Sequence, residues 1–134
     1  MSKSNTTEND IIKKIFHAVE LSWDAAVSLD IHLHTADPGE AGVSTTNEAT
    51  YTNYAVVTVS RSASGWDVAG NQASNDDLLQ FPQCGASGNT ITHVSITPAG
   101  STQIIYSGAL NASLAVANLI QPQFAIGALT ITED

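Results

Sequence analysis

Apolar residues change their period once along this chain. Ile11, Ile12, Ile15, Phe16 and Val19 recur at helical spacing, while Lys13, Lys14, His17 and Glu20 fall largely on the other side. The pattern predicts an amphipathic helix that starts near Thr7 and ends near Ser22. At its start, Thr7 with Asp10 three residues later resembles a capping box with Asp in place of Glu or Gln. The apolar face needs cover from the domain's own sheet or from a neighbouring subunit. Ile11, Ile12, Ile15, Phe16 and Val19 are therefore the candidate partner-binding residues.

From Val27 the period is two. Val27, Leu29, Ile31 and Leu33 alternate with Ser28, Asp30, His32 and His34, as in a half-buried strand whose polar set faces solvent. Asp37, Pro38 and Gly39 supply a tight turn, and a polar loop runs from Glu40 to Thr50. Short β-like runs follow at Ala55 to Ser60, Trp66 to Ala69, Leu78 to Phe81, Thr90 to Thr97, Gln103 to Leu110, Ser113 to Val116, Phe124 to Gly127 and Leu129 to Thr132. Breaks at Ser64-Gly65, Gly70-Asn71, Gly85 to Gly88, Pro98 to Gly100 and Gln121-Pro122 space them regularly. Many short strands at that spacing predict an all-β fold, a small antiparallel β-sandwich or barrel-like domain with one N-terminal amphipathic helix. The expected division is an arm and helix over residues 1–23 and a single β domain over 24–134.

Composition agrees with one small core. Of 134 residues 43% are hydrophobic and only 13% charged, which is enough for one domain and short for two. The net charge of −9 is unevenly placed. Lys3, Lys13 and Lys14 lie in the first fourteen positions, and from Ile15 onward Arg61 stands alone against eleven carboxylates. Such a body repels phosphate and anionic lipid, so neither nucleic acid nor membrane is expected as a partner. No apolar run is long enough to span a bilayer, and the first residues lack a secretory signal, so synthesis and retention in the cytosol are expected unless the chain leaves on a larger particle. Cys84 is the only cysteine and closes no internal disulfide.

Candidate chemistry is sparse. Asp30, His32 and His34 alternate on one strand and His93 lies on another, but two histidines at that spacing do not specify a metal site, and no metal or cofactor is expected. There is no G-x-S-x-G elbow and no Gly-rich phosphate loop with its Lys. Cys84 has no neighbouring cation to activate it. Asp76-Asp77 and Glu133-Asp134 are adjacent in sequence and read as solvated charge, so no catalytic residue is assigned. Trp23, Trp66, Tyr51 and Tyr54 would suit a sugar-binding groove, yet each sits where core or corner packing is the ordinary role.

Longer motifs carry a resemblance. LHTADPGEAG from Leu33 to Gly42, TTNEATYTNYAVVTVSR from Thr45 to Arg61, GW at Gly65-Trp66, GNQASN from Gly70 to Asn75, FP at Phe81-Pro82 and TH at Thr92-His93 appear in order. YSGAL from Tyr106 to Leu110, SLAV from Ser113 to Val116 and PQFAIGALTITED from Pro122 to Asp134 complete them. From about Leu29 to Asp134 the chain resembles a family of small tailed-bacteriophage virion structural proteins, often labelled tail-fibre proteins and similar to head-decoration or cement proteins. Asn53 and Val56 stand where that pattern more often has Gly and Arg, and His32 replaces a usually apolar or small residue.

The resemblance implies a non-enzymatic virion component assembled in the host bacterial cytoplasm. With no repeats, coiled coil or β-helix to build a long shaft, the expected role is capsid decoration, with the major capsid protein and copies of itself as partners, a trimer favoured. The alternative is a tail-fibre or tail-associated protein that touches other tail proteins and the host surface.

Overall fold

A computed structural model describes residues 1–133. In chain order the elements are β1 (Ser2–Lys3), α1 (Asn5–His17), β2 (Ser28–His34), β3 (Val57–Ser60), β4 (Trp66–Ala69), β5 (Gln72–Asn75), β6 (Leu79–Gln80), β7 (Asn89–Pro98), β8 (Tyr106–Val116), β9 (Gln123–Phe124) and β10 (Thr130–Thr132). They form a five-stranded sheet in the order β1-β8-β7-β2-β3, a three-stranded sheet β10-β5-β4 and a two-stranded ribbon β6-β9. Every pairing is antiparallel. The protein is a small all-β domain with one N-terminal helix, the fold class that the alternation predicts.

Strand β2 lies inside the large sheet, with Ile31 opposite both Val57 and Ile96, and Leu33 opposite Val94. Because side chains alternate, this register puts Ile31, Leu33, Val94 and Ile96 on one face, where all are nearly inaccessible. Trp66, Leu79, Phe81, Leu129 and Ile131 from the smaller sheets and their connections complete the core. Val27 belongs to neither strand nor core. It precedes β2 and is 80% exposed, which corrects its place in the apolar set.

The strands depart from the alternation in three further places. Gln103 to Leu110 and Ser113 to Val116 merge into the single strand β8, and its pairing with β7 slips between Ile91 and His93. The surplus residues of β8 around Asn111 bulge where the sequence suggested a gap. Gln72–Asn75 is a strand without apolar alternation, held to β4 across a hairpin whose Gly70 has φ +62°. Ser2–Lys3 adds an edge to the large sheet, pairing with Tyr106 and Ser107. Asn53, which stands at a family glycine, has φ +75°, a conformation that Asn tolerates better than most residues.

The helix is shorter than its pattern and starts earlier. Ser4 caps it, accepting a hydrogen bond from the Thr7 amide at 3.3 Å, so Thr7 lies in the first turn and not at the cap. Its last helical residue is His17, because Ala18 turns left-handed at φ +55° and sends its amide back to the Lys13 carbonyl. An alanine in that conformation is strained by about 1 kcal/mol relative to glycine. Ala18→Gly is expected to raise stability by up to about 1 kcal/mol, read as a higher denaturant midpoint. A lower midpoint would contradict this helix end.

Candidate interaction surface

Which side of α1 faces the domain is decided by hydrogen bonds. The Ser4 hydroxyl donates to the Ile104 carbonyl at 2.5 Å and the Thr7 hydroxyl donates to the same oxygen at 2.8 Å. Gln103 Nε2 donates to Asp10 Oδ2 at 2.9 Å and to Thr7 Oγ1 at 3.2 Å. Thr7 is the one buried residue of the helix. The helix therefore docks through its polar residues. Its apolar residues point away, with Ile12 57%, Ile15 67%, Phe16 76% and Val19 49% exposed, while Ile11 is half-buried.

That orientation inverts the usual arrangement for a surface helix, in which the apolar stripe faces the core. Of the five candidate residues, Ile11, Ile12, Ile15 and Phe16 lie on the helix and Val19 lies just past its left-handed end. The domain leaves Ile12, Ile15, Phe16 and Val19 uncovered and Ile11 partly covered. The exposed aliphatic and aromatic side chains lie in one stripe rather than scattered over the surface.

Beside the helix opens a groove of about 930 Å³, with Ile11 at its border. Leu29, Ile96, Ile105 and Ile131 line it together with Trp23 and Trp66. Ile96, Ile105, Ile131 and Trp66 are buried and form its floor, while Leu29 and Trp23 are half-buried. Trp66 is packed as expected, with 9% exposure. Trp23 is half-buried, and Arg61 lies over it with Cζ 5.4 Å from the ring centroid. Arg61 Nη1 also donates to the carbonyls of Asp24 at 2.8 Å and Ala26 at 3.1 Å, fixing the turn between helix and sheet.

The opposite face of β2 departs most from its pattern. Asp30, His32 and His34 are 8%, 6% and 0% exposed, not solvated. The segment between Glu40 and Thr50 folds back beside and over them, bridging at His34 and Glu48. Asp30 accepts from the Thr58 hydroxyl at 2.6 Å and the Gly100 amide at 2.9 Å. His32 reaches Glu48 Oε1 at 2.7 Å and Thr97 Oγ1 at 3.0 Å, and His34 reaches the Thr46 carbonyl at 2.9 Å and Ser95 Oγ at 2.8 Å. Where the β3 ladder has ended, the Tyr54 hydroxyl accepts from the Leu33 amide at 3.0 Å and donates to Glu48 at 3.2 Å. These partners satisfy polar groups that burial would otherwise penalise. Both ring nitrogens of His32 and of His34 are engaged, so the pair is built as a structural lock. His93 bonds instead to the Thr92 hydroxyl at 2.8 Å.

Burial holds the His34 imidazole below its ordinary value of 6.5. The Thr46 hydrogen bond and Glu48 oppose that shift, while His32 and His93 add to it. The unfolded chain therefore takes up the proton first as pH falls. Stability from neutral His34 is complete above 6.5 and declines below it, until folded His34 is itself protonated. The melting temperature is expected to drop between neutral pH and about pH 5, and to drop less in His34→Gln. Equal drops in both proteins would remove His34 as the source.

The remaining sequence candidates are dispersed. Cys84 is buried, its thiol directed at the carbonyls of Gly85 and Ser87. Tyr51 packs edge-on against Tyr54 at 5.2 Å and donates to the Pro82 carbonyl at 2.9 Å, and burial pushes its phenol up to about 12. Asp76 and Asp77 are exposed, and Asp134 lies outside the described residues. Among the described residues, no three His, Cys, Asp or Glu side chains gather as a metal site.

Fold, surface and motif order together define a small structural component of a bacteriophage virion. The chain belongs to the family described as Podophage GP4 fiber I protein gp80, whose model matches residues 2–132. The match takes in α1, which lies upstream of the motifs that carried the resemblance. No curated protein matches the chain.

Proposed function

We propose that this protein is a non-enzymatic component of the phage tail fibre, attached to neighbouring virion proteins through the apolar face of α1. The observation that carries this reading is the outward stripe of Ile12, Ile15, Phe16 and Val19 on a helix pinned by its polar side. The family's description as a fibre protein favours tail over head. Capsid decoration, with the major capsid protein as partner, is the second reading. It draws support from a single short β domain that lacks the repeats of a long shaft.

Hydrolysis of host glycans would require two cooperating carboxyl groups, one held protonated by an apolar enclosure. Asp67 and Asp76 do border the groove, but both are exposed, and among the described residues neither carboxylate has an ion-pair partner. They act as charge at the rim. Adhesion and assembly fit this surface better than bond cleavage.

Incorporation into particles tests the attachment surface. Phage lacking the native protein would be supplied with the wild-type chain or with the triple variant Ile12→Ser, Ile15→Ser, Phe16→Ser. These positions are exposed, so the variant should melt like wild type yet be missing from purified virions. Equal incorporation of both proteins would overturn the proposal.

A further inference from the structure

We propose that the apolar stripe of α1 from one copy seats in the groove of a second copy. This rests on the reading above that the chain is an assembled virion component, and it names what that surface meets. The two halves of the contact are present on every chain: a convex stripe of Ile12, Ile15, Phe16 and Val19, and a concave groove with exposed Val68 and half-buried Leu29 and Trp23 over a floor of buried Ile96, Ile105 and Ile131. Ile11 borders the groove of its own copy, yet the stripe beyond it stays outside, so a molecule does not fill its own groove. An amphipathic helix laid into an apolar groove is a common way for proteins to bind one another, with anchors at this spacing.

Charge selects this helix as the occupant. Lys13 and Lys14 flank the stripe, and among the described residues Lys13 has no ion pair. The groove lining carries Asp67 and Asp76 without cationic partners among those residues, while its Arg61 is engaged by Asp24 and the Trp23 ring and its Glu133 by Lys3. Over its whole length α1 is balanced, with Glu8 and Asp10 against Lys13 and Lys14, but the acids lie in its first turns, so the end that carries Ile15 and Phe16 is the local cationic patch that an acidic rim attracts. A sugar suits the groove less well. Much of the lining is aliphatic, the indole nitrogens of Trp23 and Trp66 are shielded from solvent, and Arg61 already covers the Trp23 ring.

Because stripe and groove are different patches, the contact is heterologous and either closes into a ring or propagates. Such a junction has a diagnostic property: a variant that loses the stripe and a variant that loses the groove each keep the other half. Phe16→Asp removes the most exposed anchor, and Val68→Asp places a charge at an exposed groove-lining position. Both sites are well exposed, so each variant should melt as wild type does.

Sedimentation and light scattering on the full-length protein would read the result. Wild type is expected to self-associate, each variant to weaken association roughly 30-fold or more, and an equimolar mixture of the two to recover a complex of one copy of each. A wild-type monomer at about 100 µM, well above the micromolar range of ordinary specific contacts, would overturn the inference. So would an oligomer indifferent to both substitutions, or a mixture that stays monomeric. A change in tryptophan fluorescence on adding host-surface oligosaccharide to a monomer would assign the groove to sugar instead. None of these outcomes affects whether the chain resides in the tail, so the two proposals fail separately.

Discussion

Phe81→Ala is expected to remove about 3–5 kcal/mol of folding stability, the range for emptying a buried aromatic site. Phe81 is fully inaccessible, stacks near Tyr54 with ring centroids 6.5 Å apart, and meets the edge of Phe124 at 6.3 Å. Its amide also holds the Pro122 carbonyl at 2.9 Å, so the ring sits where the β6-β9 ribbon closes on the large sheet. Truncation leaves a cavity that the surrounding sheets fill poorly. Denaturant unfolding would show it as a large fall in midpoint, and a loss below about 1 kcal/mol would contradict the packing described. The same substitution at Phe16 should cost a single subunit no more than about 0.5 kcal/mol, since that ring is 76% exposed. The contrast separates an aromatic used for folding from one kept for a partner.

Asp30→Ala should cost about 3 kcal/mol, because a buried carboxylate bonds two donors on separate segments. One is Thr58 in β3 and the other is Gly100 in the turn after β7, so the side chain ties together the two strands that flank the start of β2. Losing it strands the Gly100 amide and frees the Thr58 hydroxyl. For a domain of this size that corresponds to a melting temperature lower by roughly 10 °C. Asp30→Asn keeps an acceptor and should recover part of the loss. A melting temperature unchanged by Asp30→Ala would mean that the carboxylate is solvated, as the alternation first suggested.

Much of the sheet was legible in the sequence, because period two is a property of single strands. Trp66–Ala69 appears with the bounds its pattern predicts, and β2 and β7 differ from theirs by one residue at each end. Strand β5 was not legible. Its residues Gln72 to Asn75 are polar, and what makes them a strand is the hairpin at Gly70-Asn71 and backbone pairing on both sides with β4 and β10. The bulge in β8 was visible only as a break around Asn111, since an unpaired residue and a strand end interrupt alternation alike.

The candidate surface was half legible. Helical spacing identified Ile11, Ile12, Ile15 and Phe16 as one face, but spacing says which face is apolar and not which face turns inward. The inward side was set by Ser4 and Thr7 bonding one carbonyl of a segment about a hundred residues away. Likewise Asp30, His32 and His34 alternate as solvent-facing residues do, yet Glu48 and Thr46 return to engage His32 and His34, and Thr58 and Gly100 engage Asp30. The groove left no trace in the pattern, because the buried Ile96, Ile105 and Ile131 of its floor alternate like any core residue and only the placing of the layers opens a space beside them.

Copy number by location tests the central claim most directly. Purified virions would be separated into heads and tails, and this chain counted in each by quantitative mass spectrometry. A tail-fibre component should appear in a small fixed number of copies confined to the tail fraction. Hundreds of copies on heads, in constant ratio to the major capsid protein, would contradict that reading and establish capsid decoration instead.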